Sequence, residues 1–222
     1  MVTTVALVVN GGHMFVRILD RLWLLDTGAP SSFGESALTL ADQSLELPTQ
    51  YFNLTASTLS TSVGVDCAGL LGSDVLSRFD WILDSPGGLA TFSVEELDHP
   101  GHGIALSTFM DIPIVVASVL GNPHRMFFDT GAQISYLQTD ALTSFPETGL
   151  VDDFYPGFGN FQTHTHAVDL TIGALPFTLR CGSLPDLLGL TLMMADTQGI
   201  IGHDILRDRV AGYFPRRGLL VL

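Results

Sequence analysis

Asp26-Thr27-Gly28-Ala29 recurs in this chain as Asp129-Thr130-Gly131-Ala132, and each copy directly follows a short apolar run. One chain therefore carries two matched carboxylates. Two carboxylic acids that share a site cannot both ionise, so one keeps its proton while the other acts as a base. Such a pair can activate a water molecule without a metal ion or a nucleophilic side chain.

The repeat extends beyond the two tetrapeptides. At the same offset of 103 residues, Ser32 lies over Ser135 and Phe33 over Tyr136. Residues 66–76 and 196–206, at an offset of 130, both contain Gly-apolar-apolar-Gly followed by Xaa-Asp-apolar-Leu. A repeat of this length predicts two structurally related halves.

These motifs, in this order, resemble the pepsin and retropepsin clan of aspartic proteases over nearly the whole chain. The resemblance implies an all-β, bilobal acid-protease fold with pseudo-twofold symmetry and a cleft between the lobes. It also implies hydrolysis of peptide bonds, with Asp26 and Asp129 as the catalytic pair. The residues that would support the two catalytic loops are Thr27, Gly28, Thr130, Gly131, Gly72 and Gly202. Of these, the threonines would brace the loops against each other, and Gly28 and Gly131 suit a tight backbone turn.

Length and composition agree with two β-rich halves. The chain has 222 residues, 46% of them hydrophobic and only 14% charged, against the roughly 25% charged residues of ordinary domains. Residues 98–103 are rich in turn formers and predict a linker. We therefore expect an N-terminal lobe at residues 1–103 and a C-terminal lobe at residues 104–222.

Local patterns predict mostly strands and turns. Asn10-Gly11-Gly12 between apolar runs predicts a hairpin, and residues 121–123 predict an equivalent turn in the second half. Trp23 and Trp81 lie in apolar strand contexts and are expected in the core. Four short helices are expected, at residues 35–40, 73–77, 140–144 and 203–207.

The halves differ in length between their landmarks. Asp26 precedes Gly72 by 46 residues, whereas Asp129 precedes Gly202 by 73. In the resembling family a glycine-rich hairpin, the flap, occupies this interval and closes the cleft on the substrate. Residues 154–160 have the composition of such a hairpin, which predicts a single flap from the C-terminal half with Tyr155, Gly157, Phe158 and Gly159 at the substrate.

Charge and cysteine usage limit the partners. A formal charge of −14 argues against a nucleic-acid partner, and no apolar run is long enough to span a membrane. Cys67 and Cys181 are expected to be free thiols, and neither a signal peptide nor a pro-segment is expected at the N-terminus. These features favour a cytoplasmic monomer with an internal pseudo-dimer, active without processing on a peptide or protein substrate and without a cofactor.

The histidines raise one alternative site. His164 and His166 have strand spacing and could hold a metal together with His203 or His102. No third ligand follows at a recognisable spacing, so exposed polar positions on the hairpin are favoured and no metal is predicted.

Two functions remain open. The first is an endopeptidase, whose optimum we expect at weakly acidic to near-neutral pH because Ala29 and Ala132 lack the hydroxyl group that would lower the apparent pKa of the pair. The second is a non-catalytic module that keeps the fold to bind peptides or to assemble with another protein.

Overall fold

The structure is a computed structural model that describes residues 1–35, 37–155 and 159–222, without the side chains of residues 186–188. The all-β expectation is confirmed, since strands hold 52% of the chain and helices 13%. The division into lobes at residue 103 stays a prediction.

The N-terminal half contains eleven strands and two helices in its described residues. The strands are β1 (Val2–Asn10), β2 (His13–Ile18), β3 (Arg21–Leu25), β4 (Phe33–Gly34), β5 (Leu38–Leu40), β6 (Gln43–Leu45), β7 (Gln50–Tyr51), β8 (Leu54–Thr55), β9 (Gly69–Leu71), β10 (Asp80–Asp84) and β11 (Leu89–Ser93). The helices are α1 (Ala56–Val63) and α2 (Ser73–Leu76).

The rest of the described chain adds eleven strands, two α-helices and two 3₁₀ turns. The strands are β12 (Gly103–Ala105), β13 (Ser107–Phe109), β14 (Ile112–Val119), β15 (Asn122–Phe128), β16 (Ser135–Leu137), β17 (Glu147–Tyr155), β18 (Gly159–Ile172), β19 (Leu175–Gly182), β20 (Gly199–Ile201), β21 (Val210–Phe214) and β22 (Leu219–Val221). The helices are α3 (Thr139–Leu142) and α4 (Asp186–Met194), and the 3₁₀ turns span His203–Leu206 and Pro215–Arg217.

Two large sheets organise these strands. One has the order β12-β22-β21-β10-β11-β1-β2-β3-β9-β4, and the other has the order β13-β14-β15-β20-β16-β19-β18-β17. The pairs β5–β6 and β7–β8 form two small separate sheets. The C-terminal strands β21 and β22 thus lie in the same sheet as the first strands of the chain.

Six strands of the first sheet are arranged symmetrically. Their order is β12-β22-β21-β10-β11-β1. About the contact between β21 and β10, strand β21 corresponds to β10, strand β22 to β11 and strand β12 to β1. Where β10 meets β21, Trp81 pairs with Tyr213, Ile82 with Gly212 and Leu83 with Ala211. The offset of 130 residues seen in the sequence maps the first of these pairs onto the last, so the pairing of β10 with β21 is symmetric about the central pair.

A buried ion cluster fastens this sheet to the chain around it. Asp80, at the start of β10, is fully buried and pairs with Arg216 at 3.0 Å and with Arg217 at 2.6 Å. The backbone N–H of Leu97 also donates a hydrogen bond to the Asp80 carboxylate at 3.0 Å. The cluster therefore ties the segment after β11 to the 3₁₀ turn between β21 and β22.

Apolar side chains fill three clusters. The largest joins both halves and includes Trp23 and Trp81, which are 2% and 0% exposed, so their predicted place in the core is confirmed. A second cluster surrounds Phe33 in the N-terminal half, and a third surrounds Tyr136 in the C-terminal half. Cys67 and Cys181 are buried free thiols, as expected.

The predicted hairpins form with small shifts. Gly11 and Gly12 adopt φ values of 58° and 81° between β1 and β2, as the tight turn requires. In the second half the turn lies at Leu120 and Gly121, one residue earlier than expected, because Asn122 already pairs with Val119.

The helix predictions are partly wrong. Short helical segments form near residues 73–77, 140–144 and 203–207, but residues 38–40 form strand β5 instead of a helix. Leu38 and Leu40 are buried while Thr39 is exposed, which is the two-residue period of a strand. Helix α1, which the strand-and-turn prediction missed, is stabilised by a capping box between Thr55 and Thr58.

Candidate active site

Each aspartate of the repeat is placed by a pair of parallel strands. Strand β3 pairs with β9 and ends at Asp26, whose N–H donates to the Leu71 carbonyl at 3.0 Å. Strand β15 pairs with β20 in the same way, and the Asp129 N–H donates to the Ile201 carbonyl at 2.9 Å. The apolar segments before Gly72 and Gly202 therefore lie directly against the loops that carry the carboxylates.

Gly72 and Gly202 continue this support. The Gly72 N–H donates to Ser32 Oγ at 2.8 Å, and the Gly202 N–H donates to Ser135 Oγ at 3.0 Å. A Cβ atom would come within 2.7 Å of loop backbone at the first glycine and within 2.8 Å at the second. Both positions therefore require glycine because loop backbone occupies the space of a side chain.

Thr27 and Thr130 brace the two loops against each other through four buried hydrogen bonds. Thr27 Oγ1 donates to the Phe128 carbonyl at 2.6 Å and accepts the Thr130 N–H at 3.0 Å. Thr130 Oγ1 donates to the Leu25 carbonyl at 2.9 Å and accepts the Thr27 N–H at 3.1 Å. Both threonines are 0% exposed. Each hydroxyl therefore binds backbone groups of the opposite half that lie just before and just after the aspartate there.

Gly28 and Gly131 bring the two carboxyl groups together. A Cβ atom on Gly28 would lie 2.3 Å from the carboxyl carbon of Asp129, and one on Gly131 would lie 2.5 Å from that of Asp26. Neither glycine has a positive φ, so the tight turn expected from the sequence is not the reason for glycine here. The reason is the close approach of the opposite aspartate.

The two aspartates behave as one titrating unit. Both are partly buried and lie within hydrogen-bonding reach of each other, and removal from water raises the pKa of both carboxyl groups. The negative charge of Asp129 raises the pKa of Asp26 further, while backbone N–H groups act in the opposite direction. The pair therefore holds one proton over a range of pH in which two isolated aspartates would both be ionised.

Backbone hydrogen bonds distinguish the two members of the pair. Asp129 Oδ1 accepts the N–H groups of Gly131 at 2.8 Å and Ala132 at 3.2 Å. Asp26 Oδ1 accepts the N–H of Ala29 at 2.8 Å. Because more donors stabilise a carboxylate more strongly, this difference favours the charge on Asp129 and the shared proton on Asp26.

A cavity of about 340 Å³ opens over the aspartate pair. Its N-terminal side, here called the first wall, is formed by Leu24, Phe33, Leu54, Leu59, Val63 and Leu70. Its C-terminal side, here called the second wall, is formed by Phe109, Ile112, Phe127, Phe161, Leu192 and Ile200. Apolar side chains around a few convergent polar groups are typical of a binding site.

The long β17–β18 hairpin reaches this cavity. Tyr155 pairs with Gly159 at its end, and Tyr155 lines the cavity beside the aspartates. Burial, followed by the charges of Asp129 and Asp26, raises the pKa of Tyr155 to about 12, so its hydroxyl keeps its proton. Two of the predicted flap residues, Gly157 and Phe158, lie outside the described residues.

The N-terminal half also contributes a hairpin, which sequence reasoning missed. Strands β7 and β8 are joined by Phe52 and Asn53, whose φ values are 45° and 64°. Tyr51 and Phe52 line the cavity, opposite Phe154 of the long hairpin. Phe154 also packs against the cluster around Phe33, so the long hairpin reaches across the cleft to the other half.

No protein-family model matches the chain, and no curated protein matches it. Among solved structures, the chain is similar to the EIAV protease in complex with the inhibitor HBY-793. That match has a TM-score of 0.33 and 21% sequence identity, and it covers 43% of this chain and 85% of the other.

Two histidines that the sequence did not single out for this site contact the second aspartate loop. His13 Nδ1 lies 3.0 Å from the Gly131 carbonyl, and His203 Nδ1 lies 2.9 Å from the Ala132 carbonyl. Burial lowers the pKa of His203, which favours the neutral ring with its proton on the nitrogen that faces the carbonyl. The repeat could have indicated a role for His203 near the aspartate loop, because His203 occupies the position that Ser73 holds in the first half.

The histidines of the long hairpin are placed elsewhere. His164 Nδ1 lies 2.6 Å from Glu147 Oε1, and His166 Nδ1 lies 2.9 Å from the Phe145 carbonyl. Within the described residues no three His, Cys, Asp or Glu side chains are grouped to hold a metal. In the same part of the chain, no helix combines the length and the apolar character needed to cross a bilayer.

Proposed function

We propose that this protein is an aspartic endopeptidase with Asp26 and Asp129 as its catalytic residues. The observation that supports this most directly is the pair of partly buried carboxyl groups at the floor of the cavity, each packed against the glycine of the opposite loop. A pair that shares one proton supplies a general base and a general acid at the same place. Hydrolysis of a peptide bond needs both.

The two members take different parts in the proposed reaction. Ionised Asp129 removes a proton from a water molecule, which then attacks the carbonyl carbon of the scissile bond. Protonated Asp26 donates its proton to the carbonyl oxygen as the tetrahedral intermediate forms. When the intermediate collapses, the C–N bond breaks, Asp129 gives its proton to the leaving nitrogen, and a hydroxyl group of the intermediate returns a proton to Asp26, so the pair again holds one proton between two carboxyl groups.

The surrounding contacts serve this chemistry by holding the two loops still. The hydroxyl groups of Thr27 and Thr130 lock each loop to the backbone of the other half. Because general acid–base catalysis depends on hydrogen-bond geometry, a small displacement of one aspartate relative to the other lowers the rate strongly. We assign the threonines, together with Gly28, Gly131, Gly72 and Gly202, to this positioning role.

An extended peptide is the substrate that suits the cavity. The two apolar walls on either side of the aspartates accept side chains that flank the scissile bond, and the β17–β18 hairpin covers them. Tyr155 keeps its proton and is thus a hydrogen-bond donor beside the pair. We propose that the hairpin acts as a flap that excludes water from the bound peptide.

The test is hydrolysis of a mixed peptide library between pH 3 and pH 8. We expect cleavage by the native chain, loss of cleavage in Asp26→Asn and in Asp129→Asn, and inhibition by a statine-type transition-state analogue. Asp20→Asn is the matched control, since Asp20 is exposed in a turn at φ 61°, where asparagine is equally suited. It should cleave at the native rate.

If the native chain cleaves nothing at any pH and the analogue fails to bind, the endopeptidase proposal is wrong. Binding of peptides without cleavage would instead support the non-catalytic module.

A further inference from the structure

The two walls of the cavity differ at one pair of equivalent positions. Phe33 of the first wall corresponds in the repeat to Tyr136, which lines the same cavity in the C-terminal half. The Tyr136 hydroxyl donates to Asp153 Oδ2, and the phenylalanine has no such group. Apart from the two catalytic aspartates, Asp153 is the one acidic residue among the described residues that line the cavity.

The Asp153 carboxylate accepts two hydrogen bonds within the protein and keeps further acceptor positions. Tyr136 is 3% exposed, so the bond from its hydroxyl is protected from water. The Phe154 N–H donates to Asp153 Oδ1 at 2.7 Å. An ionised carboxylate has about four acceptor positions, and these two donors leave the others for a ligand. Among the described residues, no arginine or histidine forms an ion pair with Asp153.

The surroundings of Asp153 suit a long cationic side chain. Phe161 of the second wall pairs with Asp153 across the hairpin, and Phe109, Phe127 and Ile200 line the same cavity as its carboxylate. Lysine and arginine bury an aliphatic stem against such surfaces and place their charge at a polar group beyond it. A charge-assisted hydrogen bond to the carboxylate is among the stronger polar contacts available to a protein.

We propose that Asp153 makes the second wall a subsite for a lysine or arginine side chain beside the scissile bond, whereas the first wall takes an apolar side chain. This inference rests on the proposed endopeptidase function and specifies its substrate class. The formal charge of −14 acts in the same direction, because it attracts basic peptide segments to the protein.

The test compares peptides that differ in one residue next to the cleaved bond, lysine in one and norleucine in the other. Norleucine keeps the aliphatic stem and lacks the amine. We expect the native chain to favour the lysine peptide in kcat/KM by about ten- to a hundredfold. Asp153→Asn should remove this preference while changing kcat/KM for the norleucine peptide less than about threefold. The chain contains no lysine, so cleavage at lysine cannot come from self-digestion.

Asp152→Asn is the matched control. Asp152 is the exposed neighbour on the same strand, where its carboxylate accepts a hydrogen bond from Gln162, and the substitution changes the net charge equally. The lysine preference should survive it. If Asp153→Asn instead lowers kcat/KM for both peptides equally, Asp153 only holds the hairpin in place and the proposal is wrong. A native preference for norleucine would overturn it as well.

Binding separates this inference from the endopeptidase proposal. The dissociation constants of both peptides are measured with Asp26→Asn and with Asp26→Asn combined with Asp153→Asn. Tighter binding of the lysine peptide that disappears in the double variant supports the subsite even if the native chain cleaves nothing. Cleavage by the native chain without a lysine preference in either assay overturns the subsite and leaves the endopeptidase proposal intact.

Discussion

Replacing Thr27 with valine tests whether the two halves depend on the hydrogen bonds between their loops. Valine keeps the shape of the side chain but removes the hydroxyl, which leaves the Phe128 carbonyl and the Thr130 N–H buried without that partner. Each buried group that loses its partner costs about 1–3 kcal/mol, so the free energy of unfolding should fall by about 2–6 kcal/mol.

The symmetry of the loops sharpens this prediction. Thr130→Val removes the mirrored pair of bonds, so it should cost a similar amount within about 1 kcal/mol. Urea unfolding of both variants measures the loss, and kcat/KM on a cleaved peptide should fall in parallel because the aspartates lose their fixed separation. Thr39→Val, on an exposed strand position, is the control and should change stability by less than about 0.5 kcal/mol. A loss no larger than this control in either loop variant would refute the role assigned to the hydroxyl groups.

Three further predictions concern the carboxyl groups of the aspartate pair and of Asp80. Because the pKa of Asp26 is raised on folding, its contribution to stability is fully present below the unfolded pKa and is lost as the pH rises through the folded value. Asp26→Asn should therefore gain stability over the native chain between pH 4 and pH 7 in urea unfolding, and a constant difference would contradict this. Ala29→Ser or Ala132→Ser adds a donor that favours the carboxylate, so the pH–rate profile should move to lower pH by up to about one unit, and a move to higher pH would be the wrong sign. Asp80→Asn leaves two arginines without their buried partner and should lower the free energy of unfolding by about 3 kcal/mol in urea, whereas an unchanged midpoint would show the cluster to be dispensable.

The parts of the site that could be predicted from sequence are those encoded locally. Asp26 and Asp129 were identified because each lies in a short motif that occurs twice, and the position of the long hairpin followed from the extra length of the second half. Neither inference required knowledge of which strands pair. Their mutual placement then follows in the structure from strand pairs that end at each loop.

The elements that were missed depend on turns with unusual residues. The turns at Leu19-Asp20, Ala41-Asp42, Phe52-Asn53 and Met110-Asp111 all have positive φ at both positions, although the first residue is apolar and not glycine. Sequence rules assign such turns to glycine or asparagine first, so β5–β6 and β7–β8 were not predicted. The hairpin at Phe52 was also not expected because the interval from Asp26 to Gly72, at 46 residues, looked too short for one.

Contacts that depend on distant chain segments were also beyond the sequence. Gly28 was expected to serve a tight turn, but the space for its side chain is taken by Asp129, which lies in the other half. The contacts of His13 and His203 with the second loop likewise arise only when the halves meet. A pattern in one segment does not show what another segment places beside it.

Whether equivalent residues of the two halves are identical or different follows from what they contact. Thr27 and Thr130 each bond to the backbone on both sides of the opposite aspartate, so a change in one copy breaks bonds that belong to the opposite loop. A substitution at either threonine therefore affects both loops, and both copies of the motif have threonine at this position. Phe33 and Tyr136 belong to the separate apolar clusters of the two halves, so one of them can gain a hydroxyl without disturbing the other. The two halves therefore keep identical residues at the floor of the cavity, while its two walls can differ in chemistry without disturbing that floor.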